Sequence, residues 1–380
     1  MFKPDPPVLA LFLPLAVTLL LLLVRGIRLR LALAKVPVRI HVGGTRGKSS
    51  VCRLIASGLR ASGIKTLAKT TGTDPLLWLP DGSARPWRRV GPASIAEQRR
   101  FALLASRLNA RATVLECMAI RPDLVRASEC DLVRATLAVI TNVRLDHLED
   151  TPSLEVVSES CLGMVPRNGV LVVSEEALSP DLRNRARARR TAIVTVPTAG
   201  LSAAEANRAI ARTVCEALGV GAPMPESDEQ KDDAGAFALS DQELGGKRFR
   251  FANAFACNDT VSLDLLWRQY GQGPAPLVAL LNHRGDRPLR SLQFLDYFAT
   301  LPHPPLLLLV GSTLWLRMAA RRRGLELRVL SSPPWLSPMT LIGRIAATIP
   351  EGAMVWGVGN YHGRGAAIVK ALRQRVACLR

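Results

Sequence analysis

The residues best equipped for chemistry sit together in His41-Val42-Gly43-Gly44-Thr45-Arg46-Gly47-Lys48-Ser49-Ser50. Glycines let backbone N–H groups approach phosphate oxygens. A lysine neutralises β- and γ-phosphates, and a serine hydroxyl ligates Mg²⁺. Gly44, Thr45, Arg46, Gly47, Lys48, Ser49 and Ser50 therefore form a candidate phosphate-binding loop for a nucleotide such as ATP. Three residues separate Gly43 from Gly47, one fewer than in the usual motif, so the loop is a compact variant.

A carboxylate and an imidazole accompany it. Glu116 follows the apolar run Ala112–Leu115, and Asn142 and His147 follow Leu137–Ile140. In an open parallel sheet ligands bind at the carboxyl ends of strands, so these residues and the loop can converge on one nucleotide. Ser49, Glu116 and His147 would then suit one or two Mg²⁺ ions bridging phosphate and an attacking group. Further on, Arg284 or Arg287 of Asn282-His283-Arg284-Gly285-Asp286-Arg287 can reach a γ-phosphate and stabilise charge in transfer. Gly357-Val358-Gly359-Asn360-Tyr361-His362-Gly363 faintly resembles a dinucleotide fingerprint. Its sixth position is His362, and it reads as a tight turn lining the cleft, not as an NAD site.

The elements that must position these groups alternate. Strand patterns at Val36–Ile40, Ile64–Ala68, Ala112–Leu115, Leu137–Ile140, Val170–Val173 and Ala192–Val196 are separated by helical stretches. Residues 80–93 read as a loop, and Ser94-Ile95-Ala96-Glu97 has the spacing of a capping box opening a helix to Leu108. A helix over Ala203–Leu218 leads into an acidic linker at 225–233. The rhythm then restarts at Leu277–Leu281, Pro305–Val310, Leu325–Leu330 and Met354–Trp356. This predicts an α/β protein with parallel sheets. An N-terminal transmembrane anchor with a basic flank spans 1–35, a P-loop nucleotide-binding domain 36–247, and a smaller Rossmann-like domain 248–380.

Val8–Val24 is an uncharged run of 17 residues followed by Arg25, Arg28, Arg30 and Lys35. A helix of that length spans about 25 Å, a little under a bilayer core of about 30 Å. The positive flank puts the following domains in the cytoplasm and argues against a cleaved signal. The net charge of +19 fits an anionic membrane surface, a polyanionic substrate or nucleic acid. With 5% aromatics, stacking on single strands is a poor fit, and no nucleic-acid partner is expected. Seven scattered cysteines, none in a C-x-x-C pair, read as reduced thiols.

The ordered motifs resemble the poly-γ-glutamate synthase PgsB/CapB family, relatives of the Mur ligases and folylpolyglutamate synthetases. The likeness rests on Gly44–Ser49, Lys69-Thr70-Thr71-Gly72-Thr73-Asp74, Glu116-Cys117-Met118-Ala119 with Pro122-Asp123, and Asn142 with Asp146-His147. It continues through Asn258-Asp259, the Asn282–Arg287 motif and Gly357–Gly363. The resemblance implies a Mur ligase-like central domain and an ATP- and Mg²⁺-dependent amide ligase, with Mn²⁺ able to substitute. A glutamate chain's γ-carboxylate would be activated as an acyl phosphate and attacked by the next glutamate's amine. It also implies that Lys48 holds the phosphates, Ser49, Glu116 and His147 the metal, Asn258 and Asp259 the nucleotide, and Arg284 the moving phosphoryl. Lys48, His147 and Arg284 are the catalytic candidates. Small membrane subunits of a synthase and export complex would be partners. One departure stands out: many Mur ligases use a carbamylated lysine, and this chain has no lysine between Lys69 and Lys231. A ligase for another amino acid and acceptor, or a membrane-tethered P-loop kinase or ATPase, are the alternatives.

Overall fold

The computed structural model describes residues 6–378 except 72–74, 90, 92, 145–152, 222–236, 258, 272, 286, 312–313, 334 and 362. The chain divides into two compact units. The first is built on eight strands: β1 (Val38–Gly43), β2 (Thr66–Lys69), β3 (Leu76–Trp78), β4 (Ala84–Pro86), β5 (Ala112–Glu116), β6 (Leu137–Ile140), β7 (Val170–Ser174) and β8 (Ala192–Val196). Their spatial order is β4-β3-β2-β5-β1-β6-β7-β8, with β1 at the centre. All pairs are parallel except the β2–β3 and β3–β4 edge. β5 and β6 are buried along their whole length, as strands covered on both faces must be. The helices are α1 (Pro6–Ala34), α2 (Lys48–Ala61), α3 (Glu97–Arg107), α4 (Pro122–Ala127), α5 (Leu154–Gly163), α6 (Pro180–Ala188) and α7 (Ala203–Ala217). One layer of the core joins Ile40, Val42, Ile55 and Leu59 to Ile210 and Val214 of α7. Another packs Ile140, Leu171 and Val173 against Cys161 and Leu182.

The second unit carries β9 (Leu239–Leu244), β10 (Lys247–Asn253), β11 (Leu277–Asn282), β12 (Leu306–Val310), β13 (Leu327–Leu330) and β14 (Met354–Gly359), in the order β13-β12-β11-β14-β10-β9. Helices α8 (Thr260–Tyr270), α9 (Pro288–Ala299), α10 (Leu314–Arg322), α11 (Pro338–Thr348) and α12 (Arg364–Cys378) alternate with them. Only β9 is antiparallel, closing the edge as a hairpin with β10. β9 lies ahead of position 248, where the sequence sets the start of the second domain, so the second sheet takes a strand from the stretch assigned to the first domain.

Three local expectations are corrected. The strand leading to the loop runs Val38–Gly43, not 36–40: Pro37 has no N–H to give a ladder, and Val36 is buried at the end of α1. The stretch read as loop at 80–93 contains β4, an exposed edge strand paired to β3. No capping box forms at Ser94. α3 begins at Glu97 behind Ala96, and the Glu97 carboxylate turns instead to Lys69 and Arg89. A true capping box opens α7, where Ser202 and Glu205 satisfy each other's backbone donors, worth about 1 kcal/mol in such positions.

α1 runs unbroken through Pro14, longer than its apolar run. Among the described residues it is the one helix long and apolar enough to cross a membrane, Phe12–Ala34 with mean hydropathy 2.0.

Candidate active site

The loop after β1 is shaped by its neighbours. β1 lies between β5 and β6 in a register that sets Val42 beside Glu116 and Gly43 beside Ile140. The strand ends therefore deliver Glu116 on one side of the loop and Thr141 and Asn142 on the other. Gly44 has φ +104°, and a Cβ there would strike the Thr141 hydroxyl. Gly47 has φ +77° as the residue preceding α2, and a Cβ there would meet the Asn207 side chain of α7. Only glycine fits both the dihedrals and the space.

Side chains just past the end of β6 hold the loop's backbone. Asn142 Oδ1 accepts from the Arg46 N–H at 2.9 Å, and Asn142 Nδ2 donates to the Arg46 carbonyl at 3.2 Å. The Thr141 hydroxyl donates to the same carbonyl at 2.6 Å, and the Thr45 N–H reaches the Asn142 carbonyl at 3.0 Å. The Thr45 hydroxyl donates to the Arg144 carbonyl and accepts from the Arg144 N–H, both at 3.0 Å. Asn142 and Thr141 are thus positioning groups for the loop, a role that strand-end position alone did not reveal.

Lys48 opens α2, and its Nζ donates to the Gly44 and Thr45 carbonyls at 2.8 and 3.0 Å, which keeps the ammonium over the loop. One residue on, the Ser49 hydroxyl donates to Glu116 Oε2 at 2.8 Å, and the Thr71 N–H donates to the same oxygen at 2.7 Å. Glu116 is 4% exposed. A buried carboxylate is tolerable when charge-assisted hydrogen bonds fix it, and these two do so. Ser50 follows, half-buried in the first turn of α2. Among the described residues no three His, Cys, Asp or Glu side chains cluster as a metal site. Ser49 and Glu116 are hard oxygen donors of the kind Mg²⁺ takes, and that ion commonly uses one or two protein ligands plus phosphate and water. The pair fits it. His147, the third expected ligand, lies outside the described residues.

Beneath the loop is a buried polar system the sequence reading missed. His41 of β1 is fully buried, its Nδ1 2.8 Å from Glu129 Oε2, in the π-helical turn Ser128–Val133. Glu129 Oε1 also accepts from the Ala135 N–H at 2.8 Å. Burial pushes the imidazole pKa down. Cys117 and the Glu129 carboxylate outweigh it, raising His41 to about 10. Cys117 directly follows Glu116. The only signal in the sequence was a histidine in a strand too apolar to leave it without a partner.

Lys69, the first residue of the Lys69–Asp74 motif, is fully buried at the end of β2. It pairs with Glu97 of α3 at 2.8 Å and lies 5.0 Å from the Trp87 ring. Burial lowers its pKa despite Glu97. It ties α3 to the strand whose extension supplies the Thr71 N–H.

The second unit places its candidates by itself. Arg284 is half-buried in the loop after β11. Asp259 is the N-cap of α8, accepting from the Ser262 N–H at 2.7 Å and the Ser262 hydroxyl at 2.9 Å. Its carboxylate is committed to starting that helix. Asn258 lies outside the described residues.

The fold matches a folylpolyglutamate synthase/dihydrofolate synthase of Yersinia pestis solved with AMPPNP and Mn ion. The TM-score is 0.60 at 15% identity, covering 92% of this chain and 93% of that one. The Mur ligase middle domain family matches residues 42–220, the stretch that holds the loop, Glu116, Thr141 and Asn142. The chain is a Mur ligase-like enzyme, an ATP-dependent amide ligase. The poly-gamma-glutamate synthase CapB C-terminal domain family matches residues 241–375. Over nearly the whole length the chain is 28% identical to the capsule biosynthesis protein CapB of Bacillus anthracis, covering 90% of this chain and 78% of that protein. It is 26% identical to the PGA synthase CapB of Bacillus subtilis, covering 89% and 91%. The likeness thus runs along nearly the whole chain, to the Mur ligase middle domain first and to the CapB C-terminal domain after it.

Proposed function

We propose that this ligase extends a poly-γ-glutamate chain. A γ-carboxylate oxygen at the chain end attacks the γ-phosphorus of ATP, ADP leaves, and an acyl phosphate results. The amine of the next glutamate attacks the acyl carbon, the bond to the phosphate oxygen breaks, and the nitrogen sheds its proton as the amide forms. A carboxylate is a poor acyl donor, and phosphorylation gives it a leaving group; the rest is positioning and charge neutralisation.

The observation that carries this reading is the fixed contact of Ser49 and Thr71 with Glu116 at the foot of the loop. Lys48 holds the β- and γ-phosphates. Ser49 and Glu116, with His147, would hold Mg²⁺, which supplies charge neutralisation between the phosphates when bound. The role of Asn258 and Asp259 at the nucleotide rests on the family resemblance. It is supported by the α8 cap, which fixes the backbone at Asp259. Arg284 would meet charge on the transferring phosphoryl.

The uncharged run 8–24 of α1 anchors the protein in the membrane, with the arginines after Val24 on the cytoplasmic side. Small membrane subunits would take the polymer onward. Leu29, Ala32 and Leu33 remain to dock the rest of α1 after removal of residues 1–25, so that truncation yields a soluble, ATP-binding protein. Persistence on membranes after a high-salt wash would contradict a single anchor.

The test is to incubate the full chain, in membranes with its partners, with ATP, Mg²⁺ and labelled glutamate. ADP and phosphate release coupled to amide-linked label is expected. A stable phosphoester product, or turnover indifferent to glutamate, overturns the reading.

A further inference from the structure

α1 is built into the first unit as well as being apolar. Leu29 and Leu33 pack against Ala102 of α3 and Leu132. The Arg39 guanidinium closes the junction, donating to the Leu33 and Val36 carbonyls at 3.3 and 2.7 Å and to the Arg134 carbonyl at 2.8 Å. α3 is therefore held at the level where the uncharged run of α1 ends.

Helical spacing then gathers arginines. Arg25 lies one turn before Leu29 on α1, and Arg99 lies one turn before Ala102 on α3, so both stand on the faces that meet. Arg28 follows Arg25 by three residues. Arg25 and Arg28 are exposed and Arg99 is half-buried. The Arg99 pKa is lowered, by burial first and then by Arg25 and Arg28. Among the described residues none of the three pairs with a carboxylate, and the nearby acid of α3, Glu97, is taken by Lys69 and Arg89. Three like charges from two elements, without a counter-ion, sit where an apolar helix leaves hydrocarbon for headgroups.

We propose that Arg25, Arg28 and Arg99 form a binding site for the phosphate of an anionic phospholipid headgroup, bridging the anchor helix and α3. The proposal rests on the membrane reading of α1 and extends it: the lipid would fix how the first unit is mounted on its anchor. Guanidiniums suit the ligand, since each presents forked donors to phosphate oxygens. A basic residue near an anionic surface strengthens binding about fivefold, and salt screens the effect.

Full-length protein in neutral detergent micelles is titrated with phosphatidylglycerol, with phosphatidylcholine as the comparison, and followed by Tm. Phosphatidylglycerol should raise Tm with a midpoint about fivefold higher for Arg99→Gln and near normal for Arg99→Lys. Arg107→Gln, farther along α3 and exposed, should behave as the wild type. Equal responses to the two lipids, or an Arg99→Gln midpoint like that of the wild type, overturn the site. Flotation separates the two readings. Protein that floats with phosphatidylcholine vesicles after a high-salt wash but ignores phosphatidylglycerol loses only the headgroup site. Protein that does not float loses the anchor and the site together.

Discussion

Two glycine turns, one in each unit, look alike in sequence and are used differently. After β1, Gly44 and Gly47 take positive φ so that a loop can form around backbone N–H groups. The side chains beside it, Lys48, Ser49 and Ser50, are only half-buried. At the end of β14, Gly359 also takes positive φ (+97°), but a Cβ there would lie 2.8 Å from the Asn282 carbonyl oxygen. One at Gly357 would lie 2.6 Å from the Phe255 ring. Here the glycines let the backbone close on its own neighbours. The polar groups at this turn are consumed: Asn282 Nδ2 donates to the Asn360 carbonyl, Asn360 Nδ2 donates back to the Asn282 carbonyl, and Arg290 donates to Asn360 Oδ1. All three side chains are buried. A glycine turn serves a ligand when the charged and hydroxyl groups around it stay within reach, and serves the fold when its polar groups have already found each other.

The comparison breaks first at Lys48. Lys48→Ala should lower ATP turnover by about 10³ or more, as loss of a cation on transferring phosphate does, with Tm nearly unchanged. Among the described residues its Nζ bonds loop carbonyls alone, which water can satisfy at a half-buried site. Turnover near normal in the folded variant would remove the phosphate-loop reading. Glu116→Gln comes next, with ligation down about 10²-fold. The amide can still accept from Ser49 and Thr71 but lacks the charge for a cation. An ATP-turnover assay across Mg²⁺ concentrations checks this, and an unchanged rate and Mg²⁺ dependence would sever Glu116 from the metal.

The residues behind these two predictions are legible in the sequence because they sit in short-range patterns. A buried apolar strand, a glycine-lysine-serine turn and an amphipathic helix are read within twenty residues, and the ends of parallel strands locate the site. What stayed hidden depends on register. His41 and Glu129 are 88 residues apart, and Asn142 finds Arg46 across 96. Nothing in either local stretch names the partner until β5, β1 and β6 are aligned. Glu97 shows the converse. Its spacing from Ser94 suited a capping box, but a buried Lys69 was the stronger claimant, since an unpaired ammonium in the core costs far more than an uncapped helix start. The β3–β4 edge was missed because its strands are three residues each.

The polar system beneath the first loop sharpens the comparison through pH. His41 has its pKa raised to about 10 in the fold, above its ordinary 6.5. The folded state then holds a proton that the unfolded chain has released at neutral pH. The stabilisation is fully present below about pH 6.5 and is lost as pH rises through about 10, at up to about tenfold per pH unit in the unfolding equilibrium. Urea melts between pH 7 and 9 should show this decline. His41→Gln should flatten that part of the profile, whatever it does to stability at pH 7. A parallel decline in the variant would assign the pH dependence to other groups.

The smallest expected effect tests the second turn. Asn360→Ala removes the acceptor of Arg290 and the donor to the Asn282 carbonyl, leaving buried groups without those partners. Such losses cost about 1–3 kcal/mol. The Asn282 donation to the Asn360 backbone carbonyl survives, because alanine keeps that oxygen, so the turn should weaken without being abolished. Urea melts should therefore show the second unit destabilised by that amount. Affinity for an ATP analogue in the still-folded protein should stay within about twofold, since a partner lost inside the fold does not by itself remove a ligand contact. The opposite result, an unchanged melt with nucleotide affinity reduced tenfold or more, would mean that Asn360 serves the ligand. The two glycine turns would then be alike in use as well as in sequence.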